Sequence, residues 1–162
     1  MVREVNQHRR QVLKGTISAS TMALVAASGL LLPQRLLAHW PKNSFNAETV
    51  EDALLTLLGE ADVAEDPAIS FKVGTPPSYA VNGASVPVQI QSDLENIERI
   101  VVLVEKNPFP LAMSLDVTEA VKLPFKTMIK IREDSNVMAI IRANGKLYKT
   151  SRFVEVDIGG CG

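Results

Sequence analysis

The chain has 162 residues, with 17 Lys and Arg against 18 Asp and Glu, two histidines and one cysteine. A formal charge of −1 gives no strongly basic surface of the kind that selects nucleic acid or anionic lipid, and a lone cysteine excludes an internal disulfide. So few His and Cys side chains leave no ligand set for a zinc or copper centre, so no metal and no cofactor is expected.

Arg9 and Arg10 open the stretch RRQVLK, and an uncharged apolar run follows from Ile17 to Pro33. Twin arginines before a mildly hydrophobic run resemble a bacterial twin-arginine export signal. The alternative, a transmembrane anchor, needs roughly 20 mostly apolar residues. This run is shorter and laced with Ser, Thr, Ala and Gly. Residues 1–38 are therefore read as a signal cleaved after Ala38 and left out of the fold, which places the mature protein in the periplasm with no membrane attachment. Cleavage removes Arg3, Arg9, Arg10, Lys14, Arg35 and Glu4, leaving 12 basic against 17 acidic residues and a charge of −5. His8 falls in the signal, and His39 and Trp40 are read as an extended arm at the mature N-terminus.

Val50, Ala53, Leu54, Leu57 and Leu58 then draw one apolar stripe at helical spacing. Thr49, three residues before Asp52, suits the N-cap, and Gly59 suits the C-cap. Downstream, the alternation turns to period two. Strands are expected at residues 68–73 and 86–91, the latter with Val86, Val88 and Ile90 on one face, separated by the turn-rich GTPPSYAVNG. IERIVVLVEKN is apolar on both faces from Ile100 to Val104, as in a central strand or one covered by a partner. It ends at Asn107, Pro108, Phe109 and Pro110, read as a rigid turn. LAMSLDV, FKTMIKIRE and SNVMAIIRA follow, and Asn144-Gly145 signals a hairpin into KLYKTSRFVEVDI. Lys126, Lys130 and Arg132 alternate along one strand as a solvated basic face. About seven strands after one helix predict an all-β, immunoglobulin-like β-sandwich over residues 39–158, ending in a flexible Gly-Gly-Cys-Gly arm at 159–162.

No phosphate-cradling loop, nucleophile elbow or Ser-His-Asp set is present, so no catalytic residue is assigned. Cys161 remains. Free cysteine is among the most buried residue types, yet this one stands among Gly159, Gly160 and Gly162. Glycine is slim and costly to order, and three extended residues beyond Ile158 reach on the order of 10 Å. The nearest charges along the chain are Glu155, Asp157 and the terminal carboxylate, which disfavour the thiolate. An enzyme activates its own nucleophile, so Cys161 reads as a carried group, with the three glycines as its swinging arm. The rival readings are an immunoglobulin-like binding module with an incidental tail thiol, and a thiol enzyme, for which the basic neighbour is missing.

The C-terminal IGGCG, the twin-arginine signal, AHWPKNSFNAETVEDALLTLLG, NGASVPVQI, EKNPFPLA and the late NGKLY together resemble the SoxY family, sulfur-carrier subunits of the periplasmic thiosulfate-oxidising Sox system. Members of that family end one glycine later, a departure that leaves the thiol in place. The resemblance implies a heterodimer with SoxZ, with the Val101–Val104 strand as the candidate contact. It implies covalent attachment of sulfur intermediates to Cys161, and transient visits to SoxXA, SoxB and a sulfane dehydrogenase. A role as substrate carrier rather than enzyme follows from the same resemblance.

Overall fold

A computed structural model describes residues 41–119 and 121–160. The expected signal with Arg9 and Arg10, the arm residues His39 and Trp40, and Cys161 with Gly162 lie outside the described residues. The order of elements is α1 (Lys42–Phe45), α2 (Val50–Leu58), β1 (Ile69–Phe71), β2 (Tyr79–Asn82), β3 (Val86–Ser92), β4 (Ile97–Val104), β5 (Leu111–Asp116), β6 (Phe125–Ile129), β7 (Ser135–Ala143) and β8 (Lys146–Ile158).

Two sheets form the immunoglobulin-like sandwich that the strand pattern predicts. The smaller has the order β1-β3-β6, all antiparallel, and the larger β2-β8-β7-β4-β5. Between them lies the main core. Val86, Val88 and Ile90 from β3 share one buried cluster with Ile100, Val102 and Val104 from β4 and with Val137, Ala139 and Ile141 from β7. Each fully buried side chain of this size contributes roughly 1.5–3 kcal/mol, so period-two alternation fixes which face of each strand turns inward. The β7–β8 hairpin closes at Asn144 and Gly145, with φ of 51° and 72°. Two successive positive φ values are what a tight hairpin turn requires, and Asn-Gly supplies them at least strain.

Helix α2 begins where the capping residues indicate. The Thr49 hydroxyl accepts the N–H of Asp52 at 3.1 Å, and Gly59 takes the left-handed conformation at φ 79°. Its stripe of Ala53, Leu54 and Leu58 packs on Val101, Leu103, Leu111 and Ile140, the outer face of the larger sheet. Two guanidinium groups rising from that sheet meet the helix C-terminus. Arg142 donates to the carbonyl of Leu58 at 2.5 Å, and Arg99 to that of Leu57 at 3.3 Å. The last carbonyls of a helix have no partners within it, and cations are favoured at that negative end.

This packing corrects one expectation. The second apolar face of β4 is not left for a partner protein, because Val101 and Leu103 are covered by the chain's own α2. A second correction concerns GTPPSYAVNG, read as turn throughout. Its end forms β2, which runs parallel to β8 with Ala80 opposite Val156. Only Ala80 of those four residues is buried, too short an alternation to register as a strand. FKTMIKIRE also stops pairing early. β6 ends at Ile129, although Ile131 is fully buried.

No helix among the described residues is long and apolar enough to cross a membrane. A cavity of about 350 Å³ lined by Leu94, Ile97, Ile100, Val117, Val121 and Leu123 opens where β3 ends and β4 begins. Gly159 and Gly160 lie at the opposite end, near the start of β3.

Candidate functional site

The thirteen residues of β8 carry the chain along the larger sheet to Ile158, so the strand's direction decides at which end of the sandwich the glycines emerge. Alternation holds as far as Asp157 and fails at Ile158, which is exposed. Val154 is buried and Val156 half-buried, while Phe153, Glu155 and Asp157 face outward. Beyond Ile158 the backbone does not leave the protein at once.

Gly83 donates its N–H to the carbonyl of Ile158 at 2.7 Å and accepts the N–H of Ile131 at 2.8 Å. Ile131 in turn accepts the N–H of Gly160 at 2.8 Å. Ile131 therefore uses both backbone groups to tie the turn before β3 to the end of β8, which is why the β6 ladder has already stopped. Gly160 is buried.

Close approach explains the residue types here. A Cβ on Gly160 would stand 2.5 Å from the carbonyl oxygen of Gly83 and 2.8 Å from the Cα of Ala84. One on Gly159 would collide with the carbonyl of Arg132, and one on Gly83 with the carbonyl of Ile131 and, at 2.9 Å, with the nitrogen of Gly160. Real Cβ contacts essentially never fall under 3.0 Å, and the obstructing atoms are mostly backbone that cannot swing aside. Gly159 and Gly160 thus sit backbone against backbone, in a seat made by residues 83–84 and 131–132.

The side chain of Asn107 braces one wall of that seat. Its Nδ2 donates to the carbonyl of Lys130 at 2.9 Å, and its Oδ1 accepts the N–H of Arg132 at 3.0 Å. A carboxylate oxygen of Asp134 accepts the N–H of Val156 at 2.7 Å. Tyr79 lies beside Glu155 on the neighbouring strand, and its phenol is raised above the ordinary value, first by burial and then by the charge and hydrogen bond of Asp157. Asp157, one of the acidic neighbours of Cys161 in sequence, is thus engaged with Tyr79.

Of the residues singled out from the sequence, the structure brings Gly159 and Gly160 together in this seat, while Cys161, Gly162, Arg9 and Arg10 fall outside the described residues. Lys126, Lys130 and Arg132 are exposed, as a solvated face should be. Sequence reading missed Gly83, Asn107 and the Ile131–Arg132 backbone. Gly83 lies in a turn-rich stretch where a glycine attracts no notice, and no local pattern reports a contact with residue 160. Among the described residues no three His, Cys, Asp or Glu side chains are grouped to hold a metal ion. The atoms crowding the glycine pair are backbone, so what this site does is hold the backbone of residues 159 and 160.

Comparison with known proteins follows the same lines. The family model described as "Sulfur oxidation protein SoxY" matches residues 55–161. Among solved structures, the sulfur carrier protein SoxY from Chlorobium limicola f thiosulfatophilum is similar at 29% identity and a TM-score of 0.58, over 68% of this chain and 97% of that one. A fibronectin(III)-like module of Clostridium thermocellum CbhA aligns at 13% identity and a TM-score of 0.40, over 58% of this chain and 99% of that one, a likeness too slight to carry an argument. No curated protein matches the chain.

Proposed function

The chain belongs to the SoxY family of sulfur oxidation proteins, and from that premise we propose that it is a covalent carrier of sulfur intermediates in thiosulfate oxidation, with Cys161 as the attachment site. The observation that carries this reading is that the family match runs through to Cys161, the only cysteine of the chain. The thiol follows a glycine pair at the end of a long, well-anchored strand.

In the proposed cycle, thiosulfate joins the Cys161 sulfur with loss of the thiol proton and two electrons, which SoxXA accepts, giving a cysteine S-thiosulfonate. SoxB then cleaves the bond to the sulfonate group with water, releasing sulfate and leaving a persulfide. A sulfane dehydrogenase oxidises the outer sulfur in turn. This chain contributes the thiol, the length of chain that delivers it and a rigid sandwich from which to deliver it; the reactive groups belong to the visiting enzymes. It works in the periplasm, exported on the Arg9-Arg10 signal as a heterodimer with SoxZ.

The test is intact mass, with and without reductant, on protein isolated from the periplasm of cells growing on thiosulfate, with the C-terminal peptide mapped. Reductant-labile sulfur adducts confined to Cys161, absent from Cys161→Ser with the fold and SoxZ binding intact, are the expected result. A bare thiol under every sulfur condition, with no SoxZ copurifying, overturns the reading.

A further inference from the structure

Glycine next to a carrier thiol is ordinarily read as slack. The geometry at residues 159 and 160 adds something else. Slack requires only that these residues be small and unhindered; it does not require that Gly83, far away in sequence, also lack a Cβ. Gly83, Gly159 and Gly160 each face backbone at a distance no side chain fits, and Gly160 donates its N–H to Ile131 at 2.8 Å. Flexibility alone does not account for three glycines whose missing Cβ atoms point at backbone, Gly83 and Gly160 at each other's and Gly159 at that of Arg132.

We infer that Gly83 is a positioning residue for the carrier thiol: with the backbone of Ile131 and Arg132 it seats Gly159 and Gly160, and so fixes the point from which Cys161 is presented. The arm then has two lengths. With the pair seated, the arm's reach is counted from Gly160. With the pair lifted, it is counted from Ile158, which adds two residues, or about 7 Å of extended chain. An enzyme with a shallow pocket meets the seated arm, and one with a deep pocket must lift the pair, at the cost of its hydrogen bond and close packing. The seat is weak enough to open, since a single net backbone hydrogen bond holds a segment only modestly. This inference rests on the carrier reading for its meaning, although the seat itself can be measured without it.

The experiment is hydrogen exchange at Gly160 in the mature protein purified from the periplasm with any partner that accompanies it, read from the C-terminal peptide. The wild type is expected to protect that amide, and Gly83→Ala to lower its protection about fivefold, as for one net hydrogen bond lost, while amides of β7 keep theirs. In the same variant, alkylation of Cys161 by iodoacetamide is expected to be unchanged or faster, and the fraction of Cys161 bearing sulfur in thiosulfate-grown cells to fall. A merely structural role for Gly83 would lower β7 protection together with that of Gly160. If Gly83→Ala fails to fold, Gly160→Ala makes the same test from the other side of the contact. An unprotected Gly160 amide in the wild type, or unchanged protection and loading in the variants, overturns the inference. Absence of any sulfur adduct in the wild type removes the carrier reading and leaves the exchange result standing, so the two fail separately.

Discussion

Asn107 grips the backbone of Arg132: its Oδ1 accepts the Arg132 N–H at 3.0 Å while its Nδ2 reaches back to the Lys130 carbonyl at 2.9 Å. Ile131, held between those two bonds, is the residue whose carbonyl receives Gly160. The turn at 107–110 is therefore more than a link between β4 and β5; it steadies the segment on which the chain end rests.

Asn107→Ala removes both bonds at a half-buried position and is expected to destabilise the protein by about 1–2 kcal/mol, in line with two hydrogen bonds of ordinary net strength. Urea denaturation measures this. A change within about 0.3 kcal/mol would mean that solvent replaces both bonds without loss.

Arg142→Met is expected to cost about 1–3 kcal/mol, because a partly buried guanidinium donating to the Leu58 carbonyl satisfies one of the last carbonyls of α2. Asp116→Asn serves as the contrast. Its carboxylate pairs with Arg99 at 2.6 Å but is 74% exposed, and exposed ion pairs contribute about 0–1 kcal/mol. Equal losses in the two variants would contradict this ranking of the two arginine contacts.

Leu54→Ala is expected to cost about 2–4 kcal/mol, since Leu54 is 2% exposed and deleting it opens a cavity between α2 and the sheet. The same variant should bind a hydrophobic dye more strongly as Val101 and Leu103 lose their cover. A loss below about 1 kcal/mol would mean that α2 is not what closes that face.

Tyr79 is expected to ionise above the ordinary tyrosine range when followed by ultraviolet difference absorption during alkaline titration. Asp157→Asn should bring it down part of the way, because Asp157 supplies only part of the shift. The folded state holds the phenolic proton to higher pH than the unfolded chain does, so this residue's contribution to stability declines as pH rises above about 10. Tyr79→Phe should lack that decline. Titration of Tyr79 at its ordinary value in the wild type would refute the assignment.

The α2 stripe, its Thr49 and Gly59 caps, the inward set Val86-Val88-Ile90, and the Asn144-Gly145 hairpin were all legible from residue spacing. Each depends on interactions within a few positions of chain, where propensity and period act. β2 was not, because four residues with one inward alanine carry no period and are held by β8, which lies far along the chain. The covering of Val101 and Leu103 was half legible: two apolar faces require two covers, but the identity of the second was a question of topology.

The candidate site divides in the same way. The sequence by itself determined that one thiol stands among glycines after an alternating strand, because residue type and order are enough to say so. Only the tertiary structure decided that Gly159 and Gly160 lie against Gly83 and Arg132, since a contact between backbones leaves no mark on local pattern beyond the absence of a side chain, and glycine is equally what a loose tail would use.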